Sequence, residues 1–349
     1  MTMNTKLSFA SDYMEGAHPS ILETLQETNF LASPGYGTDS FTESAKQKIR
    51  EACKAPGAEV YFLVGGTQTN ATVIDALLQS YQGVIAADTG HVSMHEAGAI
   101  EHSGHKVLTL PHELGKLSAE EIRAYLKTFW SDENHEHMVL PGMVYISQPT
   151  EYGTLYSKKE LEDISSVCRE YQIPLYVDGA RLAYALASPA NDVSLQDLAE
   201  LCDVFYIGGT KCGALFGEAV VIPKAGRIPH FFTIIKQHGA LLAKGRILGI
   251  QFDVLFTDHL YEQIGKTAVA LAAKIQDTIK TAGIPLYLES PTNQVFCIME
   301  NARLEALGNE VEYSFWEKAN ETHTVIRFAT SWATQEENVE KLCELLRRE

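Results

Sequence analysis

Lys211 lies in Thr210-Lys211-Cys212-Gly213, just past an apolar run, Val204 to Ile207, that stops at Gly208-Gly209. Burial among small residues strips water from an ammonium, lowers its pKa and frees an amine that can form a Schiff base. Alone, the same lysine also reads as a surface residue in a loop. Four further groups of polar residues follow apolar runs in the same way. Gly65-Gly66-Thr67-Gln68 leads into a helical stretch, so its amide N–H groups and the Thr67 hydroxyl suit either a phosphate monoester or an ordinary turn and cap. It matches neither a Walker loop nor a dinucleotide fingerprint. Asp178-Gly-Ala-Arg181 offers an acid that pairs either with its own arginine or with the ring nitrogen of a ligand. Asp88-Thr-Gly-His91 presents an aromatic ring for stacking on a planar ligand, with His95, Glu96, His102 and His105 close behind. Ser147-Gln-Pro-Thr-Glu-Tyr-Gly153 supplies side chains over a site, or is simply a turn.

A phosphate cradle, an acid for a ring nitrogen, a stacking ring and a lysine together describe a site for pyridoxal 5'-phosphate (PLP). In such sites the acid keeps the pyridine nitrogen protonated, which makes the ring an electron sink. The non-enzyme alternative is a metal-binding or scaffold protein built on the His91 to His105 cluster. His91 and His95 are four positions apart, but there is no H-E-x-x-H motif and no identifiable third ligand. No metal is therefore expected.

Such groups act together only if the fold sets their strand ends side by side. Seven short apolar runs read as strands: Val60 to Val64, Val84 to Ala87, Lys106 to Leu110, Met143 to Ile146, Leu175 to Val177, Val204 to Ile207 and Ala219 to Ile222. Helix-length segments separate most of them, which predicts an α/β fold with a mostly parallel seven-stranded sheet and helices on both faces. Ligands of open sheets bind beyond the carboxyl ends of the strands. Capping boxes are expected at Ser118 to Glu121, Ser157 to Glu160 and Thr334 to Glu337, and Ser20 is expected to cap a helix beginning at Ile21. Past Pro223 the rhythm breaks. A long amphipathic helix from Tyr261 to Ala282 and strands at Val295 to Glu300 and Thr324 to Phe328 predict a small α+β C-terminal domain. The division is expected at 1–254 for the N-terminal segment and large domain, and 255–349 for the small one.

Composition narrows the partners. The 349-residue chain carries 28 basic against 45 acidic residues, a net charge of −17, which disfavours nucleic acid and anionic membrane surfaces. Its six cysteines show no C-x-x-C spacing, as suits a reducing compartment. Met1 to Gly16 has no apolar signal region, and no apolar run reaches transmembrane length, so a cytoplasmic protein is expected.

The chain resembles the threonine aldolase and β-eliminating lyase family of PLP-dependent enzymes, which have the aspartate aminotransferase-type fold (PLP fold type I). The resemblance runs from about Ser11 to Arg327. It is most specific at Tyr36-Gly-Thr-Asp39, Gly66-Thr67 with Asn70, His91 with Glu96, Asp178-Gly-Ala-Arg181 and Thr210-Lys211-Cys-Gly-Ala214. It implies that Lys211 carries the Schiff base, Asp178 binds the pyridine nitrogen, His91 stacks on the ring, and Gly66, Thr67 and Thr210 belong to the cofactor site. Arg181 would contact the cofactor's phenolic oxygen or the substrate. Arg327 would grip an amino acid's carboxylate with help from Ser11, a task suited to a guanidinium. The family's E-N-T-H segment is replaced by Ser147-Gln-Pro-Thr150, so Thr150 or Glu151 stands where that histidine is missing. The implied reaction is cleavage of the Cα–Cβ bond of a β-hydroxy-α-amino acid, threonine or allo-threonine, to glycine and an aldehyde, with His91 and Glu96 as candidate bases. β-Elimination is the alternative. The resemblance also implies a homodimer or homotetramer.

Overall fold

The computed structural model describes residues 6–348. Its large sheet has seven strands: β1 (Glu59–Leu63), β2 (Gln82–Ala87), β3 (Lys106–Leu110), β4 (Leu140–Ser147), β5 (Leu175–Asp178), β6 (Val204–Gly208) and β7 (Glu218–Ile222). They lie in the order β1-β7-β6-β5-β4-β2-β3. Only β7 runs antiparallel to its neighbours. The expected mostly parallel seven-stranded sheet is thus present. The order reverses between β4 and β2, which opens a crevice at their carboxyl ends, beside those of β5 and β6.

One face of the sheet buries Ile85, Val144, Ile146, Val177, Phe205 and Val221 against helices that include Ser40–Ala52 and Lys158–Glu170. The other buries Val84, Tyr145, Tyr176, Tyr206 and Val220 against Gly66–Leu77 and Phe231–Gln237. Apolar burial on both faces explains why the strands read as continuous apolar runs rather than alternating ones.

A second, four-stranded antiparallel sheet comprises β8 (Leu286–Leu288), β9 (Gln294–Glu300), β10 (Ser314–Lys318) and β11 (His323–Ala329), ordered β10-β11-β9-β8. The helix Leu260–Thr281 serves both bodies. Its Tyr261, Ile264 and Ala268 join the large core, and its Leu271, Ile275 and Ile279 join the small one. The N-terminal segment also belongs partly to the small body. Leu7–Ser8 pairs in parallel with Val311–Glu312, and Phe9 packs on Phe328.

Local signals at helix starts held in two places and failed in two. Ser118 with Glu121 and Ser157 with Glu160 form reciprocal capping boxes. Thr334 does not cap the last helix, Glu336–Leu346, because its hydroxyl accepts from the Ser331 N–H. The first helix, Pro19–Glu27, starts two residues before Ile21, and His18 rather than Ser20 is its cap. Pro19 supplies the fixed φ of a first helical residue, and the His18 ring accepts from the Ser20 N–H.

Candidate active site

The strand register assembles the site floor. Tyr145 on β4 pairs with Tyr176 on β5, and Tyr176 shares its face with Asp178 two residues on. Tyr206 on β6 lies beside Asp178 by the same register. Two glycines permit this closeness. A Cβ on Gly179 would meet the Tyr206 carbonyl oxygen at 2.0 Å, and one on Gly208 would meet the Ala180 carbonyl oxygen at 2.3 Å. The ends of β5 and β6 can touch only because neither residue has a side chain.

Asp178 is buried and receives four donors. Tyr206 Oη (2.5 Å) and the Ala180 N–H (3.0 Å) donate to Oδ1, and Tyr145 Oη (2.6 Å) and Asn70 Nδ2 (3.0 Å) donate to Oδ2. Burial raises its pKa, but the charge of His91 and the bonds from Tyr145, Tyr206 and Asn70 outweigh this and hold it below the usual carboxylate value. The same Asn70 amide donates to Glu96 Oε1 (2.7 Å), which also holds His91 Nδ1 (2.7 Å). Asp178, Asn70, Glu96 and His91 are therefore one hydrogen-bonded chain.

Two adjoining cavities open above this floor. The inner one, about 260 Å³, is lined by Gly66, Thr67, Asp178, Thr210, Lys211 and Glu218, among others. The outer one, about 540 Å³, carries Arg327, Ser314, Trp316, Tyr152 and His95. Tyr13, His91, Glu151, Arg181 and Lys211 line both. Desolvation and the charge of Arg181 push the Lys211 ammonium below its ordinary pKa, against the opposing charges of Asp12, Asp178 and Glu218. The helix Gly66–Leu77 begins at the inner cavity with no side-chain cap. Uncapped amides at a helix start, an ionised acid and a depressed lysine in one cavity fit a phosphorylated pyridine aldehyde.

Arg327 sits on β11 at the outer cavity. It donates to Gln294 Oε1 (2.9 Å), the Ala10 carbonyl (3.1 Å) and Ser314 Oγ (3.1 Å), while its buried Nε–H has no partner. Desolvation and nearby Arg181 lower its pKa. A buried cation with an unmet donor is completed by an anionic ligand. Ser11, next to Ala10, likewise has a buried Oγ without a partner.

Two sequence candidates lie outside both cavities. Thr150 lines neither cavity. The turn closed by the Gly153 N–H on the Thr150 carbonyl directs its hydroxyl to Thr154 Oγ1 (2.7 Å) and Leu114. Glu96 also lines neither cavity and is engaged behind His91, whose Nδ1 it holds. The Thr210 hydroxyl donates to Glu218 Oε1 (2.7 Å) and receives the Gly217 N–H. Arg181 is held by Asp12 through two bonds (2.6 and 3.0 Å). The His91 to His105 cluster is split: His91 and His95 lie ring to ring at the outer cavity, their centroids 5.8 Å apart. His105 bonds to Asp75, which also receives His238. Among the described residues no group of three or more His, Cys, Asp or Glu is arranged to hold a metal ion.

Sequence reasoning passed over Asp12, which is fully buried, and Glu218, whose burial pushes its pKa up to about 8. Glu218 follows Gly217 at the start of a strand, where a lone acid gives no periodic signal. Asp12 lies in an irregular segment, and only the folded chain brings it to Arg181.

The family model of beta-eliminating lyases matches residues 9–302. The chain belongs to the beta-eliminating lyase family. A low-specificity L-threonine aldolase of a Pseudomonas species is 32% identical over 342 residues, 96% of this chain and 95% of the relative. The solved structure of a Leishmania major threonine aldolase is 44% identical, covers 98% of each chain and superposes with a TM-score of 0.95. A Thermus thermophilus aspartate aminotransferase shares the fold, with a TM-score of 0.71 at 16% identity, covering 99% of this chain and 91% of that one.

Proposed function

We propose that this lyase uses PLP to cleave the Cα–Cβ bond of a β-hydroxy-α-amino acid, with threonine or allo-threonine giving glycine and acetaldehyde. The observation that carries the reading is the pair of joined cavities. A cofactor-sized space holding Lys211 and Asp178 opens directly onto one holding an anion-seeking Arg327. The near full-length similarity to threonine aldolases supports the same substrate class.

When bound, PLP supplies the electron sink that makes bond breaking at Cα feasible. Lys211 provides the amine that binds the cofactor's carbonyl. Asp178, kept ionised by its donors, holds a proton on the ring nitrogen. Gly66 and Thr67 cradle the phosphate, His91 packs on the ring, and Arg181 is steadied by Asp12. Arg327 takes the substrate carboxylate with Ser11 nearby, which turns the side chain of the amino acid toward His91 and Glu151. We also propose a cytoplasmic homo-oligomer in which 1–254 comprises the N-terminal segment and the large domain, and 255–349 the small one. The cysteines of the described residues are all unpaired and buried, as a reducing compartment allows. No helix among the described residues is long and apolar enough to cross a membrane.

The test is to supply the purified protein with PLP and then with L-threonine, L-allo-threonine or L-serine. Threonine and allo-threonine should give glycine and acetaldehyde, and serine glycine and formaldehyde, with a visible Schiff-base absorption that Lys211→Ala abolishes along with turnover. Pyruvate or ammonia without glycine would instead establish β-elimination.

A further inference from the structure

We propose, on the basis of the carbon–carbon lyase reading above, that Glu151 is the group that accepts the β-hydroxyl proton as the Cα–Cβ bond breaks. The acids lining the inner cavity are Glu151, Asp178 and Glu218, and those lining the outer one are Glu151 and Glu317. Glu151 alone is common to both, so it faces the passage in which a substrate held by Arg327 must lie. Asp178 already receives four hydrogen bonds, and both oxygens of Glu218 are engaged by Thr210 and the Gly209 N–H.

Glu151 is placed by a backbone and a side-chain donor that share one oxygen. The His91 N–H (3.0 Å) and Ser147 Oγ (2.9 Å) both donate to Oε1. Gln294 ties it to the carboxylate subsite. Its Oε1 accepts from Arg327, and its Nε2 donates to the Glu151 carbonyl at 3.5 Å. One amide therefore sets the spacing between the residue that would hold the substrate carboxylate and the one that would meet its β-hydroxyl. His91, also shared by both cavities, has Nδ1 held by Glu96.

In the step, the O–H bond of the β-hydroxyl breaks and its proton passes to the Glu151 carboxylate. The oxygen's electrons form the carbonyl of the aldehyde, and the Cα–Cβ pair remains on the Cα side. A second proton then reaches Cα to give glycine, and Glu151 returns its own to solvent. Charged and titratable groups around the carboxyl are His91, Asp178, Arg181, Tyr145, Tyr152 and Tyr156. Burial, with the charge of Asp178, raises the pKa of Glu151 against its own backbone N–H, Ser147 and His91. A carboxylate so raised is a stronger base near neutral pH.

Glu151→Gln preserves the acceptor for His91 and Ser147 but cannot take a proton. Its kcat for threonine should fall at least about 100-fold with little change in KM, and the acidic limb of the kcat–pH profile should vanish. A second readout needs no turnover. A raised pKa means that ionising Glu151 costs stability, a cost absent below the unfolded pKa and complete above the folded one. The cofactor-free E151Q protein should therefore gain Tm over wild type as pH rises through this interval. Glu151→Asp, which still titrates, should lose rate yet keep the acidic limb, and it serves if the glutamine variant fails to fold. Wild type that cleaves threonine alongside an E151Q that keeps rate and pH profile would overturn the assignment of Glu151 alone. Wild type that produces no glycine would instead overturn the lyase reading on which it rests.

Discussion

Asp12 is the residue whose ionisation the fold depends on most visibly. Burial raises its pKa, but Arg181, followed by Lys211, outweighs this and brings it from 3.8 to about 2. A depressed folded-state pKa stabilises the protein above the unfolded value, and the gain is lost as pH falls through the folded one. The shift corresponds to about 2 kcal/mol. Asp12→Asn should lower unfolding free energy in urea at pH 7 by at least that much, because Arg181 would remain buried without its counter-charge. The gap between variant and wild type should close as pH falls from about 4 toward about 2. A gap independent of pH would show that Asp12 acts through packing and not through charge. Arg327 presents the opposite case, a cation left with an unmet donor, as suits a residue awaiting a ligand.

At the scale of elements, the contact between β5 and β6 decides whether a site exists. Gly179→Ala places a methyl 2.0 Å from the Tyr206 carbonyl oxygen and 3.2 Å from the Leu182 Cβ. The strand end must then shift away from β6, and Asp178 moves with it. Overpacking of this kind costs about 1–3 kcal/mol, so the urea midpoint should fall. PLP binding, followed by absorption, should weaken as well, since Asp178 and Lys211 lie on the two separated strand ends. Unchanged cofactor affinity in a destabilised variant would show that the site tolerates a wider spacing. Much of this contact was legible. Asp178-Gly and Gly208-Gly209 mark small residues at the ends of apolar runs, although the partner each glycine touches was not.

At the scale of the molecule, the N-terminal segment links the two bodies. Leu7 and Ser8 join the small body, and Asp12 reaches back to Arg181 in the large one. The surface also carries Phe30 at 97% exposure, with exposed Leu22, Leu31, Tyr36 and Phe232. The turn that bears Phe30 and Leu31 is held by Arg246, which donates to the Thr28 and Leu31 carbonyls. An exposed apolar turn held in this way suits association with a second copy. Light scattering should therefore give a mass that is an even multiple of 38.6 kDa. Substituting Phe30 and Leu31 with serine should shift it toward the monomer, and a monomeric wild type would refute the homo-oligomer.

The sequence by itself determined the seven strands, the parallel bias of the sheet and the family of the site. Continuous apolar runs report burial on both faces, and polar residues at the ends of those runs report a ligand edge. The constellations around Asp178 and Lys211 were legible because each is local to one strand end. What the tertiary structure decided was which side chains share a space. Thr150 turned to Thr154, Glu96 withdrew behind His91, and Glu151 took the position between the two cavities. Asp12 came to the site from an irregular segment, and Gln294 from the first position of β9, one residue ahead of the strand that the apolar run marks. Such contacts depend on register and on packing between distant segments, and a one-dimensional pattern does not encode those distances.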